Sequence, residues 1–554
     1  MSFERALRPS AVRSAQPTVR RLIVYSLLFI LVVVSALGIR GLLARALNAA
    51  DVLAMGDRTD LALWLAFTLV GGPLAAGLWW ALWRRLRDDV ERSATAWGLY
   101  VAGVYGVSLV VFVPALVRSA STLVEVGAGE SLTGSLATGL VWGGVWLWHR
   151  WMWRHPTRGP VRLAGMPLVL GQVFGLTLGM GGAYAALDGI FRTALAELLG
   201  TTLVGAPWWR PVLQSLLWVL AGIALWWWHW VRAGGQELRT GLSSVALTVI
   251  GVMLPVMLAL GGVGTTVYVL LRSFLDRTEP LVELLAPLAP AVAAGLVGLL
   301  VWPYHRAVAS GFPPRTQEAC RLVTAGIALA VAASGVGIVI NSVLAVFVSS
   351  LTLAGGSPRS LLLGGISALV VGTPLWWAVW GPSRAGAPVP AAHAARRVYL
   401  VAVFGVSALI AVVTLLVIGF RVFEFLLGNS GAYLLVDRFR APLGLLAATG
   451  LTAGYHFSVW SRDRSLLAVT APERPSIGQV VLVSGQHAQA LSTAIGAVTG
   501  APVIVWTRAD DVPEAEVEVP GEAAITAAFC GVAAPRVLVV DGQGSGLTII
   551  PLQD

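Results

Sequence analysis

The chain has 554 residues, of which 57% are apolar and 12% charged, and it holds 23 tryptophans; an ordinary soluble domain carries about one-quarter charged residues. That balance excludes a water-soluble globule as the bulk of the molecule and makes a bilayer the expected solvent. The net charge of +10 comes from arginine alone, since lysine is absent, and its position beside apolar runs favours anionic lipid headgroups over nucleic acid as a partner.

Met1 to Arg21 is polar and carries Arg5, Arg8, Arg13, Arg20 and Arg21 ahead of the first apolar run, Leu22 to about Leu47. This run exceeds the apolar core of a signal peptide and resembles later runs, so it reads as an uncleaved first span behind a cytoplasmic segment, 1–21. About a dozen such runs follow one another, each close to the roughly 20 residues that cross about 30 Å of hydrocarbon. In lipid these runs must be helices, because unpaired backbone groups find no water.

The runs fall into six hairpins. Leu22–Leu47 pairs with Leu61–Trp83, Trp97–Arg118 with Ser135–Trp153, and Leu163–Leu198 with Val212–Arg232. Leu242–Arg272 pairs with Ala286–His305, Leu322–Ser350 with Leu361–Trp380, and Val398–Leu427 with Leu443–Trp460. The second member of each ends in an aromatic cluster, typified by Trp226, Trp227, Trp228, His229 and Trp230. Aligning Ala81, His149, His229, His305, Ala378 and His456 gives a repeat of 68 to 80 residues. The expected fold is therefore an all-α polytopic membrane protein of about 12 transmembrane helices in six parallel two-helix repeats, with a small C-terminal α/β soluble domain. Arginine outnumbers carboxylate at the N-terminus and after even-numbered spans, which predicts both termini in the cytoplasm and residence in the inner (plasma) membrane.

Arg20 through Arg154, with its arginine-and-tyrosine start and its Trp148, His149, Arg150 end, resembles a bacterial multi-pass membrane domain of unknown function built of four predicted helices. Arg397, Val398, Tyr399 and Tyr455, His456 repeat the pattern. The resemblance implies three tandem four-helix copies, 22–158, 159–310 and 317–464, and it transfers no functional residue.

Several side chains invite a chemical reading. His149, His229, His305 and His456 would stand at one height in a ring of hairpins, where neutral imidazoles ligate metal or haem. The competing and preferred reading places them in an interfacial aromatic belt with their tips at the headgroups, so neither a metal nor a cofactor is expected. The belt's anchors are Trp80, Trp148, Trp228, Tyr304, Trp377 and Tyr455. Asp188 with Arg192, and Glu424 with Arg421, are spaced to neutralise each other on one helix face. Arginines near the far end of first helices recur at Arg45, Arg118, Arg192, Arg272 and Arg421. Gln172, Gln214 and Asn341 are expected to bond across helices. Gly175, Gly179, Gly181 and Gly182 are expected to let backbones approach. Pro114, Pro167, Pro255, Pro303 and Pro374 are expected to kink or end spans. Cys320 and Cys530 are too far apart in sequence to suggest a disulfide framework or thiolate metal site.

After Trp460 the composition changes, and 475–554 reads as a cytoplasmic α/β domain. Strands are expected at Val480–Val483, Pro502–Trp506, Arg536–Val540 and Leu547–Pro551, and helices at His487–Val498 and Ala523–Val532. Ser484, Gly485, Gln486 occupies the place of a phosphate loop without the glycine fingerprint or lysine. The turn Gly542–Gly546 and the acidic stretch Asp510 to Glu518 read as solvated loops. No metalloprotease, nucleophile-elbow or triad pattern is present, so the reading leans away from an enzyme. Two functions remain in play: a membrane scaffold or sensor whose 475–554 domain recruits a cytoplasmic protein, and a transporter or channel for a small solute or lipid. A hydrated cavity reached by Asn341, Gln172 or Gln214 would favour the second, and a solid interior the first.

Overall fold

The computed structural model describes residues 10–48, 58–124, 129–201, 207–346, 358–381, 390–428, 435–470, 477–485, 488–507, 521–541 and 547–552. Its contacts divide the chain into two compact units, Met1–His456 and Phe457–Asp554.

The first unit is helical. In chain order its long helices are α1 (Ser10–Leu47), α2 (Arg58–Arg85), α3 (Thr95–Thr122), α4 (Gly129–Trp153), α5 (Met166–Leu199), α6 (Trp209–Arg232), α7 (Gly241–Leu275), α8 (Leu281–Ala309), α9 (Pro314–Val346), α10 (Pro358–Trp380), α11 (Pro390–Leu426) and α12 (Leu435–Thr470), the last running past the unit boundary. Among the described residues, ten of them are long and apolar enough to cross a bilayer. The expected count of twelve exceeds this by α4 and α12. Both are long, but Gly, Thr and Trp dilute the apolarity of α4, and Gly, Thr, Pro442, Tyr455 and His456 dilute that of α12 between its charged ends.

Local chemistry sets the helix ends. Thr240 accepts the amide of Ser243 at 3.2 Å and caps α7, supplying an acceptor to one of the donors that no helical turn satisfies. Gly200 closes α5 in the left-handed conformation, φ 64°, which suits a residue without Cβ. Pro114, Pro303 and Pro374 lie inside α3, α8 and α10, whereas Pro167 opens α5. Pro255 follows a π-helical stretch, Leu247–Met253, and Pro73 follows another, Phe67–Gly71. Proline lacks an N–H and crowds the carbonyl four residues back; the wider turn places that strain in a local bulge rather than a break.

Within the first five hairpins the paired helices pack on one another. Contacts between hairpins join α1 to α4, α5 to α8, and α7 to α10. Glycine sets the approach in α5/α6: a Cβ on Gly222 would overlap the Gly179 backbone, and one on Gly182 would lie 2.7 Å from the Val219 nitrogen. Gly175 faces the Trp226 backbone in the same seam, while Gly181 looks into open space, so three of the four glycines expected at a seam are there. Gly181 misses it because it adjoins a seam residue and lies about 100° around the helix from it. Tyr25, Leu28, Leu86, Trp97, Val101 and Met152 form the core shared by α1 to α4.

The second unit contains a four-stranded sheet of order β2-β1-β3-β4, with β1 (Ile477–Ser484), β2 (Val503–Thr507), β3 (Ala534–Asp541) and β4 (Leu547–Leu552). β1 is parallel to both β2 and β3, and β4 is antiparallel to β3. The connecting helices are α13 (Ala488–Thr499) and α14 (Glu522–Ala528). Val480, Leu482, Val537 and Val539 are buried with Leu491, Ile495 and Ile525, the continuous apolar pattern of strands covered by crossover helices. The acidic stretch and the Gly542–Gly546 turn lie outside the described residues.

Candidate functional site

The four histidines of the aromatic repeat are buried, and each turns its Nδ1 onto its own helix. The acceptors are the carbonyls four residues back: Val145 for His149 at 2.8 Å, Leu225 for His229 at 2.8 Å, Val301 for His305 at 3.0 Å and Thr452 for His456 at 2.8 Å. A carbonyl only accepts, so Nδ1 carries the proton and Nε2 of the neutral ring is an acceptor. Tyr100 donates its hydroxyl to Nε2 of His149 at 3.0 Å, and Tyr105 donates to Nε2 of His229 at 2.7 Å. His305 packs edge-on against Trp226 and Tyr304. His149 and His229 therefore act as buried connectors, and all four rings are buried in place of the headgroup-facing tips expected of a belt. The i−4 carbonyl takes one nitrogen, and an incoming tyrosine pulls the ring inward. Among the described residues no group of three or more His, Cys, Asp or Glu side chains could hold a metal.

Tyr100 and Tyr105 escaped the sequence reading. Their only signal was position, near the start of a first helix whose hairpin partner ends in Trp-His. Tyr105→Phe is expected to leave Nε2 of His229 without its donor and to destabilise the first unit by about 1–3 kcal/mol. Urea unfolding in mixed micelles measures it; an unchanged midpoint would mean the bond contributes nothing.

The aromatic anchors divide. Trp80 and Trp377 are exposed, and the Arg84 guanidinium lies 3.5 Å from the Trp80 ring centroid. Tyr304 accepts from Trp230 at 2.9 Å and Tyr455 from Trp380 at 2.7 Å, so both also tie helices together. Trp148 meets Trp79 edge-on, and Arg150 lies over Trp228.

Asp188 and Arg192 form the expected pair at 2.9 Å. Glu424 does not pair as expected: its partner is Arg438 of α12 at 3.2 Å, while Arg421 donates to the Arg438 carbonyl. A facing helix supplies a closer partner than the next turn. Of the three amides, Gln214 lies 3.5 Å from the Ser121 carbonyl, and the acceptor oxygens of Gln172 and Asn341 have no partner. Gln172 borders a space of about 20 Å³ beside Trp226, Trp230 and His305, roughly the room of one water molecule. Asn341 borders a cleft of about 730 Å³ between α9, α11 and α12.

In the second unit Ser484 ends β1 and donates to Oδ2 of Asp541, at the end of the neighbouring parallel strand β3, at 2.8 Å. β2 and β3 flank β1 on opposite sides, so this bond ties the carboxyl ends of two neighbouring parallel strands. Gln486, in the stretch read against a phosphate loop, lies outside the described residues.

Ten apolar helices, glycine-lined seams and inward polar connectors define an integral membrane protein of the multi-pass helical class. Within it, residues 21–147 and 318–451 match the model of a family described as a domain of unknown function (DUF5671). The match covers the outer two of the three expected copies and does not extend to 159–310. No curated protein and no solved structure matches the chain.

Proposed function

We propose that the chain is a membrane scaffold or sensor, with six hairpins threaded in one sense, both termini in the cytoplasm of a cell with the protein in its inner (plasma) membrane, and the 475–554 domain recruiting a cytoplasmic protein. The observation that carries this reading is how the polar groups of the spans are used. The histidines bond to their own helices, Gln172 borders room for only about one water molecule, and the larger cleft beside Asn341 has a mainly apolar lining rather than a hydrated polar path. A solute path needs hydrated polar groups in register across the bilayer. Anionic headgroups supply the counter-charge for the arginine excess, with the six aromatic anchors at the interface.

The cysteines supply a test on the natural chain, because Cys320 is buried and Cys530 is exposed. A membrane-impermeant maleimide is expected to label Cys530 alone, and only after the membrane is permeabilised. Labelling of intact cells would overturn the orientation. Liposomes carrying the full chain are expected to hold an ion gradient; a protein-dependent leak would favour the transporter.

A further inference from the structure

The four-helix sets that contain the two family-matched segments, α1–α4 and α9–α12, have the same helix order but differ where the third and fourth helices meet. In the first, α3 and α4 pack directly, and the Tyr100 hydroxyl closes onto His149 at 3.0 Å. In the last, the corresponding groups are Tyr399 on α11 and His456 on α12, and His456 makes the same Nδ1 bond to its own helix. Yet the Tyr399 hydroxyl and Nε2 of His456 are both buried and without a hydrogen-bond partner, with the rings 5.9 Å apart. One turn beyond them, the cleft of about 730 Å³ separates α11 from α12 and is floored by α9. Ligand pockets run from about 300 to 1,000 Å³.

The lining specifies what would fit. Gly326, Ala330, Ala333, Gly337 and Asn341 line one face of α9, spanning 16 residues or about 22 Å. Hydroxyls on the other walls spend their protons on their own helices: Ser407 on the Val403 carbonyl, Thr449 on Leu445 and Thr452 on Ala448. Asn341, at the end nearer the α9 C-terminus, offers the acceptor oxygen that has no partner. A buried acceptor left unpaired is costly and selects a ligand that brings a donor. A long, mainly apolar trough, with the Ser334 hydroxyl midway and the unpaired Asn341 acceptor at its end, suits a chain with a small protic head.

We propose that the cleft between α9, α11 and α12 binds a single-chain amphiphile whose head carries a hydroxyl donor, of the monoacylglycerol or long-chain-alcohol type, with the hydroxyl on Asn341 Oδ1 and the chain along α9. The site is independent of whether the protein senses this ligand or moves it.

The test uses the full chain in phosphatidylcholine nanodiscs with monooleoylglycerol and, as a donor-free counterpart, methyl oleate. A diazirine-bearing monoacylglycerol is expected to crosslink to α9, α11 or α12 and to be displaced by monooleoylglycerol much better than by methyl oleate. Asn341→Leu is expected to weaken displacement roughly tenfold, the loss of one buried hydrogen bond. Val406→Trp, at an exposed wall position, is expected to abolish crosslinking. Each variant must keep the parent melting temperature; if Asn341→Leu does not, Asn341→Ala replaces it, removing the acceptor without adding bulk, with the same expected loss. Equal displacement by both compounds, or crosslinking unchanged in Val406→Trp, would overturn the proposal and leave the cleft as space filled by bulk lipid.

Discussion

Gly222→Leu is expected to separate α5 from α6 and to destabilise the membrane unit by more than ~3 kcal/mol, beyond ordinary overpacking. The obstacle is backbone: a Cβ at 222 overlaps Gly179 and lies 2.9 Å from the Gly175 carbonyl oxygen. No side chain can rotate out of the way, so the helices must move apart. In lipid, separation forfeits van der Waals contact that no hydrophobic term restores. The damage extends beyond the seam, because α6 also carries His229 to Tyr105 and Trp230 to Tyr304. Gly181→Leu provides the contrast, since a Cβ there meets nothing within 4 Å; its effect should stay within ~0.5 kcal/mol. Unfolding by sodium dodecyl sulfate in mixed micelles measures both. Equal midpoints for the two variants would show that the close approach is not what holds this hairpin.

The contrast between those glycines marks how far the sequence carries. Apolar run length located the long helices, since bilayer thickness and backbone satisfaction leave few alternatives. Gly175, Gly179 and Gly182 were legible as a seam, but which neighbour shared it was not, and Gly181 looked identical. The sheet was legible for the same kind of reason: Val480–Val483 and Val537–Val540 are unbroken apolar runs, and the strands Val480–Val483 and Arg536–Val540 each appear within a few residues of the expected position. Direction inside the bundle was not legible. Nothing in Trp148, His149, Arg150 says that the imidazole faces Tyr100 rather than the headgroups, because that depends on a helix 49 residues away in sequence. Glu424 shows the same limit, as spacing suggested Arg421 while packing selected Arg438. The π-helical turns before Pro73 and Pro255 depend on how the chain relieves strain, which residue order leaves open.

Arg272→Met is expected to cost about 3–5 kcal/mol, the price of stranding a buried carboxylate. Arg272 ends α7 with its side chain 11% exposed, between Asp276, 1% exposed, and Glu279. Its Nη2 reaches Glu279 at 3.1 Å, and its Nε lies 3.7 Å from Asp276, close enough to neutralise but too far to hydrogen-bond. Removing the guanidinium leaves Asp276 with the Thr278 hydroxyl at 3.3 Å on one oxygen and no facing cation on the other. Arg272→Lys should recover only part of the loss, since one ammonium cannot serve two carboxylates as a planar fork does. The double variant Arg272→Met/Asp276→Asn should recover most of it, because the buried charge goes with its partner. Arg192 occupies the like position on α5, but its side chain is 56% exposed against Asp188, so Arg192→Met should change stability by less than about 0.5 kcal/mol. If the Arg272 and Arg192 variants unfold at the same denaturant concentration, then burial of the partner is not what distinguishes these two arginines, and Asp276 is solvated in the native protein.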